Sequence, residues 1–158
     1  WLPGDGIVIE PGLTFGLASH PTTQLCLALL QEREPEGALA DWGCGSGVLA
    51  IAAATLGFAP VTAIDIDPAA VAIARSNARA NGVEIEVARG DARRGAPWAP
   101  TVVANLTLPV LTALEIERPP DTLIASGILA GQVLELPGFV QRERREASGW
   151  AALVLEPA

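Results

Sequence analysis

At 158 residues, half of them apolar, the chain has the length of one domain of roughly 100–200 residues with a single sizeable core, and no apolar run reaches the roughly 18 residues of a membrane span. The formal charge of −8, with arginine as the only permanent cation and no lysine, argues against a broad grip on phosphate backbones, because such affinity comes from Lys and Arg displacing counterions. A basic peptide suits this surface better than nucleic acid, and the acidity in itself keeps a domain soluble.

Trp1 to Gly16, rich in Gly and Pro, reads as loop. Because the chain has no methionine, Trp1 is not an ordinary initiator position, and the sequence reads as a fragment or processed form. Leu25, Leu27, Leu29 and Leu30 after Pro21-Thr22-Thr23 predict a helix from Pro21 to about Glu34, ended by Pro35 to Gly37. Ala38 to Trp42 reads as a buried strand, Gly47 to Leu56 as an alanine-rich helix, Val61 to Ile66 as a strand, and Pro68 to Asn81 as a helix closed by Asn81-Gly82. Strands follow at Glu84 to Val87 and Thr101 to Asn105, then a helix from Leu108 to about Glu117 and a strand from Thr122 to Ser126.

Strands alternating with helices imply a doubly wound α/β fold, a mostly parallel sheet with helices on both faces. Phe139 to Arg145 and Trp150 to Leu155, separated by Glu146-Ala147-Ser148-Gly149, predict a C-terminal antiparallel hairpin at the sheet edge. The whole chain, 1–158, reads as one domain: a leading loop and helix over 1–37 and a ligand-binding core over 38–158. Cys26 and Cys44 stand apart without zinc spacing and are too few for a disulfide framework, which points to the cytoplasm.

The strongest local signal is Asp41-Trp42-Gly43-Cys44-Gly45-Ser46-Gly47, at the end of one predicted strand and the start of a helix. Glycine there lets the backbone turn sharply and lets a ligand press against it. Cys44 reads as a small filler, since no cationic neighbour or paired histidine is visible. Asp65 ends the next strand, where a carboxylate can accept hydrogen bonds from both hydroxyls of a ribose. Asp67, followed by Pro68 and a helical run, sits where an N-cap belongs. Asp91 follows the third strand and is a candidate acceptor on the adenine side, with simple solvation as its alternative. Gly45, Gly47 and Ala50 also satisfy a dinucleotide fingerprint, with Asp65 twenty residues after Gly45, so a nicotinamide-binding reading survives this segment. A helix before the first strand and an acid just before the turn count against it, because Asp41 there can face the amino group of a methionine moiety.

These segments together resemble the PrmA family, the methyltransferases that modify ribosomal protein L-eleven on lysine side chains and the N-terminal amine. The resemblance covers nearly the whole chain. It rests on Pro11-Gly12-Leu13-Thr14-Phe15-Gly16 leading to His20-Pro21-Thr22-Thr23, on Asp41 to Gly47, on Asp65-Ile66-Asp67-Pro68, on Val103-Ala104-Asn105-Leu106 and on Ser126-Gly127-Ile128-Leu129. It implies a class I fold that binds S-adenosyl-L-methionine and methylates a ribosomal protein, with no membrane partner and no direct contact to nucleic acid. Thr23, Gly43, Asp65 and Asn105 would contact the cofactor, with Gly45 in the same turn, Asp91 on the adenine side and Phe15 covering from the leading loop. Asn105 is also the candidate catalytic residue, since its carbonyl could align an incoming amine; its alternative is to cap the following helix. The lone His20 reads as a hydrogen-bonded structural residue ahead of a base.

The chain departs from the family where Leu17-Ala18 follow Phe15-Gly16 in place of Thr-Gly. The stretch from Leu129 to Phe139 is short for the helix expected before the hairpin, and the family's amino-terminal recognition domain is absent from this sequence. Two other readings stand beside the methyltransferase: a cofactor-binding remnant without activity and an NAD-dependent oxidoreductase.

Overall fold

The computed structural model describes residues 6–10 and 19–158. Helix α1 spans Pro21–Gln31, β1 Leu39–Trp42, α2 Val48–Leu56, β2 Val61–Asp65, α3 Pro68–Ala80, β3 Glu86–Arg89, β4 Thr101–Asn105, α4 Leu108–Thr112, β5 Thr122–Leu129, β6 Phe139–Ala147 and β7 Trp150–Pro157. The seven strands form one sheet in the order β3-β2-β1-β4-β5-β7-β6. The first five run parallel, and β7 runs antiparallel to both β5 and β6. Strand order reverses between β1 and β4, which opens a crevice at the carboxyl ends of those strands, where such sheets bind ligands.

The central strands are buried on both faces, so they read as nearly continuous apolar runs. Period two divides them between two cores. Leu39, Val61, Ala63, Val103 and Ile124 face one core with Leu25, Leu29, Leu49 and Val71 of the helices. Ala40, Trp42, Val102, Ala104 and Leu123 face the other with Leu111, Leu114, Leu134 and Leu136. Three helices cover the first face. The second is covered by the five-residue α4 and by turns, and Trp42 is fixed there by donating its indole N–H to the Pro97 carbonyl at 2.9 Å.

The predicted α/β architecture and the hairpin hold, with β7 inside the sheet and β6 alone on the edge. Several boundaries move for identifiable reasons. Helix α1 stops at Gln31 with Glu32 as its C-cap. The predicted strand at Glu84 to Val87 lies two residues later, because the Val83 amide closes α3 on the Ala78 carbonyl and pairing with β2 begins at Thr62↔Glu86. Helix α4 ends at Thr112 instead of about Glu117, and the Glu115 amide donates to the Arg93 carbonyl of a neighbouring loop. Strand β5 continues past Ser126 to Leu129 through a bulge at Gly127, whose φ is +95°.

Candidate active site

The carboxyl ends of β1, β2 and β4 surround a cavity of about 500 Å³, lined among others by Thr23, Asp41, Gly43, Gly45, Asp65, Asp91 and Asn105. That volume lies within the usual range of small-molecule sites, roughly 300–1,000 Å³. The sheet therefore brings six sequence-predicted site residues to one crevice and adds Asp41, which the glycine motif had singled out. Phe15 and the Leu17-Ala18 departure lie outside the described residues.

The glycine turn is shaped by its backbone. Gly43, Gly45 and Gly47 take φ of +78°, +54° and +85°, a region that costs an L side chain strain. A Cβ on Gly43 would lie 2.3 Å from Leu106 Cδ2, so the missing side chain also lets the end of β4 approach. The Gly43 and Cys44 amides both donate to the Ile64 carbonyl, at 2.8 and 2.9 Å, which ties the turn to β2. Burial, with the carboxylates of Asp41 and Asp65 nearby, pushes the Cys44 thiol well above its usual range. A thiol held protonated is a poor nucleophile, in keeping with Cys44 as a filler.

Asp67 caps a helix as its position predicts, while Asp65 is held by two backbone amides. Asp65 accepts from the Gly45 amide through Oδ2 and from the Asp67 amide through Oδ1, each at 2.9 Å, so its carboxylate is aimed while spare lone pairs remain for a ligand. Asp67 accepts from the Ala69 amide at 2.8 Å and caps α3, with Pro68 at the first helical position.

Asp91 is engaged on both oxygens by the Arg93 guanidinium, at 3.0 and 2.9 Å, and by the Arg93 amide. These contacts hold its carboxyl low, at about 2. It is an ionised acceptor at the cavity wall and half-buried. His20 is the N-cap of α1: its Nδ1 accepts from the Thr22 amide at 3.2 Å, and its ring meets Trp150 edge-on at 5.1 Å. The cavity lining does not include it.

The deeper end of the cavity is chemically different. Thr23 Oγ1, both oxygens of Asp41 and Asn105 Oδ1 are buried with no hydrogen-bond partner among the described residues. Leaving a buried polar atom unpaired costs roughly 1–3 kcal/mol, more for a charged one, so four such atoms on one cavity mark a place built for a polar ligand. Asp41 is 1 % exposed. Burial, with the Asp65 carboxylate nearby, raises its carboxyl to about 7. It becomes a good anion once a cation stands beside it. Thr107, rather than Asn105, occupies the N-cap position of α4, which removes the capping alternative for Asn105 and leaves its amide free to serve the cavity.

Two site features escape sequence reading. The first is the unpartnered state of the Asp41 oxygens among the described residues, in a strand that reads only as buried. The close approach of Leu106 to Gly127, where a Cβ would sit 2.0 Å from the Leu106 carbonyl oxygen, depends on the β5 bulge. A Ser-Gly pair at the end of a predicted strand was the available signal for the second.

The chain is similar to known proteins over most of its length. The family model described as "Ribosomal protein L11 methyltransferase (PrmA)" matches residues 6–157. A ribosomal protein L11 methyltransferase of Bordetella parapertussis is 42% identical over 93% of this chain and 51% of its own length. One from Pelotomaculum thermopropionicum is 43% identical over 95% of the chain and 54% of its own. The crystal structure of a ribosomal protein L11 methylase from Lactobacillus delbrueckii superposes with a TM-score of 0.79 at 30% identity, covering 96% of this chain and 84% of that one. The chain spans about half the length of the curated relatives it matches. With nearly its whole described length accounted for by one family model, the chain belongs to the ribosomal protein L11 methyltransferase (PrmA) family.

Proposed function

We propose that this domain binds S-adenosyl-L-methionine and transfers its methyl group to an amine nitrogen, a lysine side chain or an N-terminus, of a ribosomal protein. The carrying observation is the line of unsatisfied buried polar atoms, Thr23 Oγ1, Asp41 Oδ1 and Oδ2 and Asn105 Oδ1, facing the same cavity as the aimed carboxylate of Asp65. Those groups match the cofactor's polar parts: Asp65 the ribose hydroxyls, Asp91 the adenine amino group, Asp41 and Thr23 the ammonium end, Gly43 and Gly45 the close backbone approach. The family membership supports the reading and gives no support to a nicotinamide oxidoreductase.

When bound, the sulfonium supplies an already electrophilic methyl group. The protein's work is then alignment and exclusion of water. Asn105, at the end of β4 and 8 % exposed, offers an amide carbonyl that can accept from an attacking amine and set its direction. Leu106 and Val110 also line the cavity, and apolar walls beside the reacting amine favour its neutral form. An unperturbed lysine has a pKa of about 10.4, and solvent takes its proton before attack.

Calorimetric titration with S-adenosyl-L-methionine and NAD, followed by single-turnover transfer of labelled methyl to a lysine-containing ribosomal protein, tests the proposal. The first cofactor should bind and the second should not, and label should appear on protein amine. Binding without transfer to any protein would instead identify a cofactor-binding remnant. NAD binding alone would refute the proposal.

A further inference from the structure

Glycine-rich turns have few side-chain constraints of their own, so something outside must hold their shape. Here three neighbours do so. Asp65 takes the Gly45 amide, Ala74 packs on Gly47 closely enough that a Cβ there would lie 3.1 Å away, and the Asn77 side chain donates to the Ser46 carbonyl at 2.8 Å.

Asn77 is 2 % exposed and reaches further than the turn. Its Nδ2 also donates to the Glu10 carbonyl at 2.9 Å, while its Oδ1 accepts from the Glu10 amide at 3.0 Å. One turn along α3, Asn81 repeats the pattern on Val8, accepting from its amide at 2.9 Å and donating to its carbonyl at 2.8 Å. Helix residues four apart rise about 6 Å, and alternate residues of an extended chain about 6.5 Å. Two asparagines at that spacing can therefore stand in for the edge of a strand. The leader agrees: Ile7 and Ile9 pack on the core, while Val8 and Glu10, alternating with them, are exposed. The two residues differ in one respect. Asn81 bonds the leader and its own helix, at the Asn77 carbonyl, whereas Asn77 bonds the leader and the glycine turn.

We propose that Asn77 is a positioning residue that couples the leading segment 6–10 to the glycine turn, so that the leader holds the turn in its cofactor-binding shape. The inference rests on the proposed binding of S-adenosyl-L-methionine. Asn81 grips the same leader without touching the turn, and so separates the two roles.

The test compares Asn77→Ala, Asn77→Asp and Asn81→Ala with the unmodified chain, by calorimetric titration with S-adenosyl-L-methionine beside urea unfolding of each. The Asn77→Asp side chain can still accept from the Glu10 amide but loses both donations, to the Ser46 and the Glu10 carbonyls. Both Asn77 variants should bind about fivefold or more weakly than Asn81→Ala, as expected for one lost hydrogen bond expressed at the turn. Equal affinities for Asn77→Ala and Asn81→Ala, both folded, would overturn the inference. Amide exchange on the unmodified chain gives a second reading that needs no variant. Added cofactor should slow the Glu10 amide, which Asn77 holds, more than the Val8 amide, which Asn81 holds. Binding without that difference would sink the coupling, whereas no binding by the unmodified chain would sink the cofactor reading itself.

Discussion

Asp41 and Asp65 stand on neighbouring parallel strands, Asp65 two residues beyond Ala63, the register partner of Asp41. Their states are opposite. Asp65 is half-buried, and two backbone amides fix its direction. Asp41 is buried, its oxygens have no partner among the described residues, and its carboxyl is raised to about 7. One end of the cavity is thus organised before a ligand arrives, and the other is completed by it. A carboxylate already held by amides gives geometry, while one without partners gives an energetic incentive to bind a cation.

The sharpest break of this contrast is at the organised end. Asp65→Ala should weaken S-adenosyl-L-methionine binding by roughly 1.5–3 kcal/mol, the loss of charged hydrogen bonds to the ribose; unchanged affinity by calorimetry would remove Asp65 from the site. At the deeper end, Asn105→Ala should lower the single-turnover methyl-transfer rate by about tenfold or more beyond its effect on affinity, because alignment is expressed mainly in the transition state. Equal losses would make Asn105 a binding residue only.

Asp41 sharpens the comparison through pH. Its folded pKa of about 7 lies above the ordinary 3.8, so between those values the native state holds more protons than the unfolded state and stability falls as pH rises, by at most about 1.4 kcal/mol per unit. Asp41→Asn should remove that slope in urea unfolding and leave the protein more stable at pH 8. Cofactor affinity should move the other way. In the unmodified chain it should rise with pH up to about 7, as Asp41 ionises to meet the ammonium, and in Asp41→Asn it should be lower and flat. The smallest effect belongs to Asp67→Ala, which should cost about 0.5–2 kcal/mol of stability through the lost cap and leave affinity nearly unchanged. Exchange of the Asp65 and Asp67 phenotypes would reverse their assignment.

Local chemistry explains what the sequence made legible. The glycine turn, the Asp-Ile-Asp-Pro run and the alternation of strands and helices each carry their signal within a few residues, and the structure places them as predicted. What was not legible depends on long-range partners. Ala38 to Trp42 reads as a buried strand, but nothing near Asp41 shows that its oxygens lack a partner among the described residues. Asn77 reads as an ordinary polar helix position until the leader, 67 residues earlier, comes alongside it. Helix α4 reads as running to about Glu117, yet it ends at Thr112 and the Glu115 amide is taken by the Arg93 carbonyl.

The sheet order has a consequence for how copies of this domain meet. Among the described residues β6 is the last strand, with one side of its backbone unpaired by another strand, and it carries Arg142, Glu143, Arg144, Arg145 and Glu146 in succession. Arg142 reaches Glu156 on β7, Arg144 pairs with Glu146, and Arg145 joins Glu143 to Glu32 of the loop after α1. A second chain docking there would have to lay its own backbone among these charges and strip their water. At the opposite end, β3 is four residues long and bears Glu86 and Arg89. Short or charged margins discourage strand-to-strand aggregation, so a sheet whose central strands are almost wholly apolar can stay dispersed without a barrel to close it.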